Sequence, residues 1–175
     1  EDEIKKEEYK KEKDRYIDAV LSVIEPSSQT YSYLYAEMLI AEGRFHEAID
    51  RLKVNISKPD IGKNTYAINC YILARCYYNI GETEKSLTYY TISAINDLEI
   101  PIYGYKSLCE LSMMLYELGD IERAYRYMLR SQRDIAESNH MGSIQALFKM
   151  VPLISSSYET EINKKNTQLT YILMT

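Results

Sequence analysis

Two histidines and three cysteines are the residues of this chain best suited to metal, proton-transfer or nucleophile chemistry: His46, His140, Cys70, Cys76 and Cys109. Such chemistry needs its groups clustered, because ligation and proton transfer act over coordination or hydrogen-bond distances. Here they are scattered. The histidines lie far apart, each near a turn, and read as surface residues. The cysteines show no C-x-x-C spacing and have no histidine nearby in sequence. Cys70 and Cys76 sit on different faces of one predicted helix, so they are poorly placed to bridge each other. Free cysteine is among the most buried residue types, and all three read as small core residues. No nucleophile elbow, phosphate-cradling glycine loop or metal-spacing cluster occurs. Ser155, Ser156 and Ser157 read as helix-end polarity, and Asn55-Ile56-Ser57 matches the glycosylation tripeptide only as a short pattern that arises often by chance. The sequence therefore predicts no enzyme, no metal and no cofactor.

Tyrosine is the remaining unusual group, with 18 Tyr against two Phe and no Trp. Its large ring and hydroxyl suit half-buried positions where a helix face meets a wet groove. The 175 residues, 46 % hydrophobic and 27 % charged, are enough for one soluble domain that needs neither disulfides nor metal to hold a core. The net charge of −5 argues against a nucleic-acid surface, which requires clustered Lys and Arg. No such cluster appears between residues 29 and 160.

The elements that must position these residues are helices meeting at glycines. Around Gly81, apolar residues run at helical spacing up to Ile80 and resume with Leu87, Tyr90, Ala94 and Ile95, the pattern of an αα-hairpin. Gly43, Gly81 and Gly119 are spaced 38 residues apart. Each is followed at a fixed distance by a small residue (Ala48, Ser86, Ala124) and then a large one (Leu52, Tyr90, Met128). Each is preceded by a large residue (Tyr35, Leu73, Leu111), a small one (Ala36, Ala74, Ser112) and another large one (Leu39, Tyr77, Leu115).

These residues resemble the tetratricopeptide repeat, a unit of about 34 residues. The chain departs from it in its longer period and in its prolines: Pro59 and Pro101 lie near two junctions and the third has none. The resemblance implies an all-α fold, a right-handed superhelix of antiparallel helix hairpins, about three in number, with additional N- and C-terminal helices. It also implies a concave groove lined by the first helix of each hairpin, which binds extended peptides or partner segments. Carried over position by position, the groove takes Tyr33, Glu37 and Ile40 from the first hairpin. The second contributes Tyr71, Arg75, Tyr78 and Asn79, and the third Lys106, Glu110, Met113, Tyr116 and Glu117. Tyr33 with Tyr71, and Tyr78 with Tyr116, would form a ladder of amphipathic rings suited to recognition. The alternative is that the rings pack against neighbouring helices; truncation of Tyr78 or Tyr116 to alanine then costs about 2 kcal/mol or more.

In chain order, residues 1–28 read as a charged helix with Tyr9, Tyr16, Ile17, Val20, Leu21 and Ile24 on one side, ended by Pro26. The charged run Lys5 to Arg15 reads as a solvated face. The start on Glu1-Asp2-Glu3, within a helix, reads as a piece of something longer. The hairpins are expected at 29–57, 65–97 and 103–137, a capping helix at 139–158 with a kink or break at Pro152, and a separate C-terminal segment at 159–175. That segment turns apolar from Leu169 to Met174, too short to span a bilayer by itself. It is either the beginning of a membrane span or a strip that docks on the domain.

The run Gly119-Asp120-Ile121-Glu122-Arg123-Ala124-Tyr125-Arg126-Tyr127, with Ile154 and Tyr158, resembles a group of bacterial membrane-anchored transcriptional regulators. That resemblance implies a tetratricopeptide region outside the inner membrane, preceded by a signal peptide and followed by one membrane span and a cytoplasmic helix-turn-helix part. It favours the span at the C-terminus, although Lys164 and Lys165 sit on the side where positive charge is disfavoured. The function implied is a non-catalytic, protein- or peptide-binding periplasmic sensor, with homo-oligomerisation left open. The alternative is a passive scaffold or adaptor in the cell envelope or cytoplasm.

Overall fold

The computed structural model describes residues 2–23, 28–96, 102–138 and 145–174. Among them all regular structure is α-helical: α1 (Asp2–Ser22), α2 (Gln29–Ala41), α3 (Phe45–Ile56), α4 (Lys63–Asn79), α5 (Thr83–Asn96), α6 (Ile102–Glu117), α7 (Ile121–Ser138) and α8 (Gln145–Met174). The all-α class expected from the repeat is the one found, with hairpins α2/α3, α4/α5 and α6/α7. The chain forms two compact units, Glu1–Tyr89 and Tyr90–Thr175, the division falling within α5.

The three turns are built alike. Gly43, Gly81 and Gly119 hold φ at 75°, 80° and 80°, the left-handed region that glycine enters without side-chain strain. Each glycine N–H donates to the carbonyl three residues back, on Ile40, Tyr78 and Tyr116, at 3.0, 3.1 and 3.0 Å. The next N–H donates to the carbonyl five back, on Leu39, Tyr77 and Leu115, at 2.8, 2.9 and 2.9 Å. This Schellman pair satisfies the helix-end carbonyls. The same next residue then starts the following helix, since the carbonyls of Arg44, Glu82 and Asp120 accept from the N–H of Ala48, Ser86 and Ala124. One glycine thus ends a helix and aims the chain into the next.

Small residues let the paired helices close. Ala36, Ala48, Ala74, Ser86, Ser112 and Ala124 are all 0 % exposed. In the second hairpin the Ser86 hydroxyl donates to the Ala74 carbonyl at 2.9 Å, and in the third the Ser112 hydroxyl donates to the Ala124 carbonyl at 2.8 Å. The serine has changed helix, yet the bond crosses the same gap. Large residues on either side fill the core of each unit, Leu39, Leu52, Leu73 and Tyr77 in the first, Leu111, Leu115 and Met128 in the second. Tyr35 departs from its register partners Leu73 and Leu111, being only half-buried. Its ring stacks on Tyr31 at 6.1 Å and carries the Arg51 guanidinium at 4.5 Å.

In the first unit α4 is buried on nearly all sides, including Ala67, Cys70, Ile72, Leu73, Ala74, Cys76 and Tyr77, because α2, α3 and the first turns of α5 surround it. That is why Cys70 and Cys76, on different faces, are both buried. In the second unit α8 packs on α7 and α6, with Ile154 0 % exposed and Tyr158 stacked on Tyr125 at 4.1 Å.

Two stretches differ from the sequence expectation. Tyr9 and Tyr16 of α1, assigned to a packing side, are 72 % and 68 % exposed. The neighbours of Tyr9 one turn away are Lys5, Lys6, Glu12 and Lys13, so no apolar stripe forms around it. The side chains of Ile17, Val20, Leu21 and Ile24, and Pro26, Pro101, Asn139 and His140, lie outside the described residues. At the other end, the capping helix and the C-terminal segment are one helix, which runs across Pro152 to Met174. Beyond Pro152 the chain has neither glycine nor proline, and a polar run without such a breaker does not stop a helix. Leu169 and Ile172 are 57 % and 67 % exposed. Among the described residues no helix is long and apolar enough to cross a membrane.

Candidate binding surface

The first helices of the hairpins carry the residues that the repeat register assigned to a groove. In the first unit Glu37 and Arg75 occupy the same place in consecutive repeats, and Arg75 Nη1 donates to Glu37 Oε1 at 2.7 Å. The two side chains are 35 % and 37 % exposed, so the pair is half-buried and still reachable. The Arg75 guanidinium also lies 5.9 Å from the centre of the Tyr71 ring. Tyr71 itself is 9 % exposed and belongs to the core, which leaves little of it for a ligand. Tyr33 and Ile40 are half-buried, and Tyr78 is 50 % exposed. Asn79 is exposed, with its amide turned back onto the Arg75 carbonyl at 2.8 Å. On the first-helix face of the first unit, helical spacing thus sets Tyr33 one turn from Glu37 and Tyr78 one turn from Arg75, while Tyr33 and Tyr71, of one register, differ in burial.

In the second unit Lys106, Glu110, Met113 and Tyr116 are half-buried and Glu117 is exposed. The Lys106 ammonium lies 5.2 Å from the Tyr103 ring centre. Tyr116 meets α8, its hydroxyl 3.3 Å from that of Ser157. In this unit the domain's own helix therefore engages the ring assigned to a ligand.

The thiols are core groups. Burial pushes Cys70 and Cys76 up to about 12 and Cys109 up to about 11, which suppresses the thiolate that nucleophilic or metal chemistry needs. His46 is exposed. Among the described residues no group of histidine, cysteine and carboxylate side chains could hold a metal.

Three features escaped the sequence reading. Arg51 is stacked over Tyr35 and Tyr31. Lys53 and Lys85 flank the Tyr77 ring at 5.9 and 5.5 Å, and Tyr77 stacks on Tyr89 at 5.4 Å. The hydrogen bond with Tyr77 and its partial charge hold the Lys53 ammonium above its ordinary range. Finally, Asn55, Ser93 and Ser131, each twelve residues after a hairpin glycine, are 1 %, 0 % and 0 % exposed. The same spacing that revealed the apolar registers would have revealed this polar one.

Comparison of the chain with curated proteins and with solved structures gives no match. The family described as "SusR N-terminal TPR domain" matches residues 1–141, most of the 175. TPR domains are helical-repeat modules, generally non-catalytic, that bind proteins or peptides. The repeat glycines, the small-residue crossings and this match together place the chain in the family of SusR N-terminal TPR domains.

Proposed function

We propose that this domain is a non-catalytic sensor that binds a protein or peptide on its first-helix face. In this reading it is the periplasmic part of a membrane-anchored transcriptional regulator. The observation that carries the reading is the Glu37–Arg75 pair at 2.7 Å, set beside Tyr33 and the half-exposed Tyr78. It joins equivalent positions of consecutive repeats on a face where side chains remain accessible. A ligand that brings a carboxylate to Arg75 or an ammonium to Glu37 competes with that tie, so binding and repeat spacing become linked. The linkage requires different affinities for the two spacings, since a ligand that binds both equally shifts nothing. The family match, to an N-terminal TPR domain, is consistent with that context. In the second unit, taken by itself, Lys106, Met113 and Tyr116 are available to a ligand only as far as α8 leaves them accessible.

The surface is tested by selecting peptides from a display library on the immobilised domain and measuring their affinity for Tyr78→Ala and Arg75→Gln. Losses of about tenfold or more are expected, with the melting temperature of Tyr78→Ala nearly unchanged. Peptides that bind both variants as tightly as the parent remove this surface from the function. The regulator context is tested by the reading frame beyond Thr175, where about twenty apolar residues and a helix-turn-helix are expected. A polar continuation favours a passive scaffold.

A further inference from the structure

A second place in the first unit is built for a ligand and lies apart from the first-helix surface. Ser32 of α2 and Asp50, Arg51, Val54, Asn55 and Lys58, on α3 and the turn after it, line an open cleft of about 380 Å³. That volume is within the range of small-ligand sites. Two of these residues carry a polar atom, Arg51 Nε and Asn55 Oδ1, that is buried without a protein partner. Asn55 is 1 % exposed, and its orientation is determined by a relay of amides. The Thr65 carbonyl accepts from Asn69 Nδ2 at 2.6 Å, which turns Asn69 Oδ1 to accept from Asn55 Nδ2 at 3.0 Å. Flipping Asn55 would set two amide oxygens against each other, so Oδ1 must point away from Asn69. A buried polar atom left in this state is costly, and native structures keep few of them.

Arg51 and Asn55 are four residues apart on α3, hence on one face and about one turn from each other. One atom donates and the other accepts. A peptide backbone supplies both partners, a carbonyl for Arg51 Nε–H and an N–H for Asn55 Oδ1. A carboxylate brings no donor to Asn55, and a simple cation brings no acceptor to Arg51. The two charged side chains that also line the cleft, Asp50 and Lys58, select further. Asp50 and Lys58 flank the amide pair in sequence, Asp50 on α3 and Lys58 in the turn just past its end at Ile56. We propose that this cleft binds a short free peptide: its ammonium at Asp50, its carboxylate at Lys58, and backbone amide groups between them at Arg51 and Asn55. The Arg51 guanidinium lies 4.5 Å from the Tyr35 ring centre, so entry of the peptide re-seats this side chain and the ring reports it.

The test is an NMR titration of the domain with triglycine, with N-acetyl-triglycine amide as the uncharged control and glycerol as the hydroxyl control. Triglycine is expected to shift the backbone signals of Ser32, Arg51, Asn55 and Lys58 and the ring signals of Tyr35, saturably at millimolar concentration. The capped peptide should bind more weakly at the same residues. Arg51→Lys, which keeps the charge but loses Nε–H, should weaken triglycine about tenfold. If that variant does not fold, Lys58→Gln serves instead, with weakening of triglycine but not of the capped peptide. Absence of saturable shifts with triglycine, an undiminished response in the variant, or equal saturation by glycerol each overturns the proposal.

Discussion

Gly81 holds φ at 80°, and a Cβ built on it would meet no heavy atom within 4 Å. Substitution there is therefore a test of backbone strain without steric clash. Gly81→Ala should cost about 1–2 kcal/mol, the cost of a left-handed conformation with a side chain, seen as a lower urea midpoint at unchanged slope. The buried crossings behave differently because space is the limiting quantity. Ser86→Ala removes one hydroxyl bond to the Ala74 carbonyl and should cost about 1 kcal/mol. Ala48→Leu forces a side chain into a site 0 % exposed and should cost about 1–3 kcal/mol or more. If Ser86→Ala proves the more damaging of the two, the small residues are kept for hydrogen bonding rather than for close approach.

At the scale of the element, α8 is the informative helix. Its hold on the second unit is concentrated in Ile154, Ser157 and Tyr158, while residues 163–169 are exposed. Ile154→Ala should cost about 2–5 kcal/mol by cavity formation, whereas Leu169→Ala should stay within about 0.5 kcal/mol. Thermal melts of the two variants decide, and similar losses would show that the end of α8 is packed in solution. The helix also marks where sequence reading reached its limit. Proline and a polar run at 159–168 imitate a boundary, but neither excludes helix once the first turns are docked, and the docking residues Ile154 and Tyr158 are tertiary information. The hairpins were legible for the opposite reason. Gly43, Gly81 and Gly119 impose a backbone requirement that only local sequence can meet, and the small residues at 36, 48, 74, 86, 112 and 124 follow from it at fixed distance.

On the scale of the whole molecule, the 38-residue recurrence predicts which positions are buried better than it predicts which are available to a ligand. Tyr33 and Tyr71 share a register, yet one is half-buried and the other is core, Tyr71 lying on α4, which α2, α3 and the first turns of α5 surround. The candidate surface was therefore legible as a set of positions and not as a set of exposed groups. Burial in both units has a common consequence for pH. Cys70 and Cys76 in the first unit and Cys109 in the second start from an ordinary thiol value of 9.0 and are raised by desolvation, to about 12, 12 and 11. Burial likewise raises Tyr66 and Tyr89 above 10.0. A raised value means that the folded state holds its proton where the unfolded chain has released it. The contribution to stability is thus complete below pH 9 and declines as pH climbs through the interval up to about 12. Urea midpoints should be level from neutrality to pH 9 and fall steadily above it, and the folded protein should resist a thiol reagent at pH 8 until urea opens it. Replacing all three cysteines by alanine should flatten part of the decline and leave the part due to the tyrosines. A midpoint that holds constant through pH 11, or thiols that react at once in the folded state, would mean that these cores admit water and that the helices pack less closely than their small-residue crossings imply.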